Sequence, residues 1–91
     1  MPAFKYLITG RVQGVGYRSF VARLAKQYGI KGFVRNMPGG EVEVIAQAPE
    51  ADALMEFEKE LENYSSNGAY VEAVEKEAIE EGDFEDFSIR F

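Results

Sequence analysis

The 91-residue chain contains no cysteine and no histidine. Without cysteine it can form no disulfide, no thiolate nucleophile and no thiolate metal site. Without histidine it also lacks the commonest general base near neutral pH and the commonest metal ligand. Basic residues are scarce: 10 Lys and Arg stand against 16 Asp and Glu, for a formal net charge of −6. That balance argues against a general nucleic-acid binder, whose affinity comes from cations clustered on phosphates. Long apolar runs are missing too, since no stretch approaches the roughly 20 residues that span a bilayer. The opening MPAFKYLITG has neither the apolar run nor the small-residue cleavage site of a secretory signal. The expectation is a soluble cytoplasmic protein with no nucleic-acid or membrane partner.

What is present suffices for a core. Hydrophobic residues make up 46% of the chain, with seven Phe and five Tyr among them. A chain of this length buries about 60–65% of its unfolded surface, which predicts a single domain over residues 1–91. Phe4, Tyr6 and Ile8 alternate with Lys5 and Thr9, predicting a strand that runs to about Gly10 with one face buried. From Tyr17 the period changes. Tyr17, Phe20, Val21, Leu24 and Tyr28 recur at helical spacing, and Gly29 follows as a left-handed cap. GFVRN (32–36) and EVEVIAQ (41–47), joined by Met37-Pro38-Gly39-Gly40, form a hairpin. A second helix has Pro49 in its first turn, Glu50 and Asp52 favourable to its dipole, and Leu54, Phe57, Leu61 and Tyr64 as its apolar stripe. Residues 65–68 are a loop. Residues 70–79 are a strand in which Val71 and Val74 fall out of phase, as at a bulge. Phe87, Ile89 and Phe91 alternate in a last short strand.

The order βαββαβ, plus a short terminal strand, predicts an α+β fold of the ferredoxin-like kind. In this two-layer sandwich two helices pack on one face of an antiparallel sheet. A right-handed crossover through the first helix makes the first two strands parallel in direction. The end of strand one, the start of helix one and the end of strand two then share one edge. Arg18 and Asn36 are thereby brought together across 18 positions of sequence.

The stretch GRVQGVGYR (10–18) places an arginine in the first turn of a helix, where the dipole disfavours a cation. An anion at that point would reverse the conflict. Gly14 and Gly16 leave backbone N–H groups unobstructed, and the helix start adds partial positive charge. The turn lacks the Gly-Lys-Ser/Thr ending of a nucleotide loop, and Ser19 stands where a dinucleotide fingerprint wants Gly or Ala. On pattern alone, a plain strand-to-helix turn with an exposed Arg18 stays open. So does Asn36 as ordinary turn chemistry. Arg11 and Arg35 read as solvated strand residues, and Tyr17, Phe20 and Phe33 as core. The acidic runs 56–62 and 80–83 match no calcium-loop spacing, and the first reads as the solvated face of a helix.

GRVQGVGYR and GFVRNMPGGEV together resemble the two signatures of the acylphosphatase family. Gly10, Val12, Gln13, Gly14, Val15 and Arg18 match the first, and Gly32, Phe33, Val34, Arg35, Asn36, Gly40 and Val42 the second. The resemblance covers nearly the whole chain and implies the ferredoxin-like fold. It also implies hydrolysis of the carboxyl–phosphate bond of acyl phosphates. It implies further that Arg18 holds the substrate phosphate, that Asn36 orients the attacking water, and that the backbone of Gly14, Val15, Gly16, Tyr17 and Arg18 is the phosphate cradle. No cofactor and no metal are implied, and the expected form is a monomer acting on a small acyl phosphate. A non-catalytic module of the same fold, holding an acyl phosphate or phosphate without turnover, is the alternative. Tyr17 stands where phenylalanine is usual, Ala48 replaces a closing glycine, and Asn67-Gly68-Ala69 lacks the prolines often found there.

Overall fold

Alternation along the strands builds the inner layer. In a computed structural model, which describes residues 1–91, the elements run β1 (Ala3–Arg11), α1 (Tyr17–Gln27), β2 (Lys31–Asn36), β3 (Val42–Gln47), α2 (Ala51–Leu61), a single 3-10 turn (Ser66–Gly68), β4 (Tyr70–Ala78) and β5 (Phe87–Arg90). The strands form one sheet in the order β4-β1-β3-β2-β5. Tyr6 and Ile8 of β1, Val34 of β2 and Val42, Val44 and Ala46 of β3 join one buried cluster. The same cluster takes in Tyr17, Val21, Leu24 and Ala25 of α1 and Leu54, Phe57 and Leu61 of α2. Because these strand residues share one phase of the pleat, both helices lie on one face. β1 and β2 both pair antiparallel with β3, so they run in the same direction, as the crossover requires. Gly29 closes α1 with φ 67.

The bulge expected in the fourth strand lies where β1 and β4 shift register: Thr9 faces Ala73 but Gly10 faces Val71, leaving Glu72 unpaired. Four details differ from the sequence reading. The sheet is mixed, because β5 pairs parallel with β2. Pro49 stands outside α2, since the extended backbone of Glu50 (φ −112, ψ 131) makes that residue the cap. The stripe of α2 stops at Leu61, and Tyr64 turns away to donate a hydrogen bond to the Val15 carbonyl. Phe33 does not enter the core. Val34 takes the inward side of β2, so Phe33 points to the opposite face, with the Arg90 guanidinium 3.9 Å from its ring centre and the Phe84 ring 6.0 Å away.

Two buried phenols make a prediction about alkaline stability. The Tyr17 hydroxyl donates to the Leu61 carbonyl at 2.7 Å, whereas the buried Tyr6 hydroxyl has no hydrogen-bond partner. Burial pushes both phenols well above their ordinary value of 10.0, helped by the negative charge of Glu58 at Tyr6 and of Glu62 at Tyr17. The native state therefore keeps these protons longer than the unfolded chain does. The stability they contribute is complete below about pH 10 and is lost as pH rises toward the folded values. Urea midpoints should fall above about pH 10, and more gently in Tyr17→Phe or Tyr6→Phe. An alkaline slope unchanged in both variants would count against this linkage.

Candidate active site

The loop between β1 and α1 is built around two glycines in left-handed conformation, Gly14 (φ 73) and Gly16 (φ 80). A side chain is strained at such angles. Gly16 is the residue that caps α1, which has no side-chain cap and no acidic residue in its first turn. The first N–H groups of the helix are thus left for an outside acceptor. Gln13 secures the loop to the β2–β3 turn: its amide donates to the carbonyls of Met37 (2.8 Å) and Glu41 (2.9 Å). The same turn is closed by the Met37 N–H on the Glu41 carbonyl at 2.7 Å. Asn36, the last residue of β2, is exposed immediately before it.

These elements enclose a pocket of about 110 Å³ lined by Val12, Gly14, Gly16, Tyr17, Arg18, Ser19 and Asn36. Such a space is far below the roughly 300–1,000 Å³ of a site for a drug-sized ligand and suits a single tetrahedral anion. Arg18 is half-buried and held from behind. One terminal nitrogen, Nη1, donates to the Arg90 carbonyl at 2.9 Å, and the guanidinium lies 4.6 Å from the centre of the Phe91 ring. A guanidinium has five N–H donors, so most of them remain for a ligand. No carboxylate lines the pocket. Of the acidic residues of α2, Glu58 pairs with Lys76 at 2.8 Å, and Glu60 accepts from the Tyr28 hydroxyl. A larger surface hollow, about 520 Å³, is lined by Lys5, Leu7, Glu75, Lys76 and Glu77, whose alternating charges select no particular ion.

Gly14, Gly16, Tyr17, Arg18 and Asn36 are thus brought together as the sequence led us to expect. Val15 is not among the lining residues. Its side chain is buried in the core and its carbonyl is bonded to Tyr64 and Asn67. Sequence reasoning passed over Ser19, whose place two residues after the first helical residue was the available signal. It also passed over Arg90 and Phe91, for which there was no local signal, since only the pairing of β5 with β2 carries them to Arg18. Arg35 is exposed yet not free: its Nε donates to the buried Glu43 at 2.8 Å.

The family model for acylphosphatase matches residues 4–89. An acylphosphatase of Thermus thermophilus is 42% identical over 89 residues, covering 98% of this chain and 99% of that protein. One of Thermotoga maritima is 38% identical over 91 residues, covering 100% and 99%. The crystal structure of an acylphosphatase from Bacillus subtilis superimposes with a TM-score of 0.92 over the full length of both chains, at 33% identity. The chain belongs to the acylphosphatase family.

Proposed function

We infer that the acylphosphatase reaction of this chain takes place in the pocket between the Gly14–Ser19 segment and Asn36. The carboxyl–phosphate bond of an acyl phosphate is hydrolysed there to a carboxylate and inorganic phosphate. The observation that carries this assignment is the meeting, in one small pocket, of an uncapped helix start, the Arg18 guanidinium and the Asn36 carboxamide. Arg18 and the backbone N–H groups of Gly14 to Arg18 hold the phosphoryl group, and its charge satisfies both the helix dipole and the guanidinium. Asn36 orients the water that attacks phosphorus. As the new P–O bond forms, the bond to the acyl oxygen breaks and the carboxylate leaves with the electron pair. The lining residues include no available base, so the proton of the water passes to a phosphoryl oxygen of the substrate. Phosphoryl transfer asks a protein mainly for positioning and charge stabilisation, which is what this lining supplies. The pocket has room for the phosphoryl group alone, so the acyl part extends outward and is selected weakly. The form proposed is a monomeric cytoplasmic enzyme, and the acidic balance of 16 Asp and Glu against 10 Lys and Arg supports a small-molecule substrate rather than nucleic acid.

The test is turnover of benzoyl phosphate or acetyl phosphate by the purified protein in excess EDTA. Full activity is expected, with inorganic phosphate as a competitive inhibitor, because the lining offers no carboxylate, His or Cys to a metal. Activity lost in EDTA and restored by magnesium would overturn the metal-free reaction, and saturable phosphate binding without turnover would instead indicate a holding module.

A further inference from the structure

Tyr64 lies beyond the end of α2, on the way to β4, and is no part of either signature. Its hydroxyl donates to the Val15 carbonyl at 2.6 Å, and the Asn67 amide reaches the same oxygen at 3.4 Å. None of Val15, Tyr64 and Asn67 lines the pocket, whereas Gly16, the next residue after Val15, does. The chain has no cis peptide bond, and in a planar trans peptide the C=O of one residue and the N–H of the next point in opposite directions. A bond that draws the Val15 carbonyl away from the pocket therefore turns the Gly16 N–H toward it. Resting on the site proposed above, we propose that Tyr64 is a positioning residue that aims the Gly16 N–H at the phosphoryl group from the far side of the loop.

The loop needs such a fixture. Val15 stands between two glycines in left-handed conformation, and glycine accepts several backbone conformations at similar cost. A peptide plane there can rotate, and the rotated form would present the Val15 carbonyl to the anion, replacing a donor with an acceptor. Tyr64 is rigid enough to prevent this. Its ring stacks on Phe20 at a centroid distance of 4.8 Å and meets Tyr17 edge-on at 5.7 Å, so α1 itself holds it. The hydroxyl also abuts Gly16 directly: a Cβ on that residue would lie 2.9 Å from it.

Tyr64→Phe keeps the ring and removes only the hydrogen bond. Asn67→Gly, at a residue with φ 58, removes the second donor while keeping the left-handed backbone accessible. The competitive inhibition constant of inorganic phosphate should rise roughly threefold to tenfold in Tyr64→Phe, as expected for one hydrogen bond, with a further rise in the double variant. The amide proton of Gly16, followed by NMR during phosphate titration, should shift strongly in the parent protein and much less in the variant. A lower melting temperature with an unchanged phosphate constant and an unchanged Gly16 shift would make Tyr64 structural only and overturn the proposal. If no amide from Gly14 to Arg18 responds to phosphate in the parent protein, the pocket assignment itself fails, and the role of Tyr64 with it.

Discussion

Arg18→Ala is expected to abolish measurable turnover and to weaken phosphate inhibition severely, while the fold survives. The side chain touches the Arg90 carbonyl and the Phe91 ring and is absent from the buried cluster, so its removal opens no cavity. What is lost is electrostatic. A hydrogen bond to a charged group is worth about 1.5–3 kcal/mol, and the fork of Arg18 can give two to a phosphoryl group. Together they correspond to a loss on the order of 10² to 10⁴ in kcat/KM. Arg18→Lys should fare nearly as badly. An ammonium has no planar fork, and it cannot keep the Arg90 carbonyl satisfied from one side while presenting two parallel N–H groups on the other. Steady-state kinetics on both variants, with circular dichroism as the check on folding, decides the matter. Near-parent activity in Arg18→Lys would show that the guanidinium is no bidentate clamp.

The placement of Arg18 also shows how far the sequence could be read. An arginine in the first turn, with no acidic residue beside it, is a local conflict, and such conflicts mark places where function outweighs stability. That signal, the two glycines and the crossover geometry were all visible in residues 10–36. The hold on Arg18 from behind was not. Strand β5 was legible as alternation at Phe87 and Ile89, but alternation carries no information on which neighbour a strand pairs with or in which direction. The same blindness accounts for Phe33. A strand side chain lies on one face or the other according to its neighbours, and once Val34 faces the helices, Phe33 must face away, where Arg90 and Phe84 cover it. By spacing alone Tyr64 belongs to the stripe of α2, since it continues the helical period from Leu61. The period was right, but the helix had already ended, and a hydroxyl with a carbonyl to bind won over one more turn.

Asn36→Ala is expected to cost rate rather than affinity, and this separates an enzyme from a module that merely holds its ligand. The carboxamide carries no net charge and contributes little to holding an anion already met by Arg18 and the helix start. It can accept a hydrogen bond from the attacking water and donate one toward the phosphoryl oxygens, so in the proposed mechanism it defines the line of attack. An interaction realised mainly in the transition state lowers kcat when removed and leaves ground-state binding largely alone. By comparison with the loss of one preorganised hydrogen-bonding group, kcat should fall on the order of 10²- to 10³-fold, while the phosphate inhibition constant changes little. The support around Asn36 favours this division of labour, because Gln13 fastens the neighbouring turn through the Met37 and Glu41 carbonyls and so fixes the end of β2, which carries Asn36, relative to the phosphate loop. Asn36→Asp should be worse than alanine, since its carboxylate would face an anionic substrate. Steady-state kinetics with inorganic phosphate as the competitive inhibitor reads both quantities in one experiment. An unchanged kcat with a much weaker phosphate constant would make Asn36 a binding group and leave the water to be oriented by another residue of the lining, of which Ser19 is the one with a free hydroxyl in reach of the pocket.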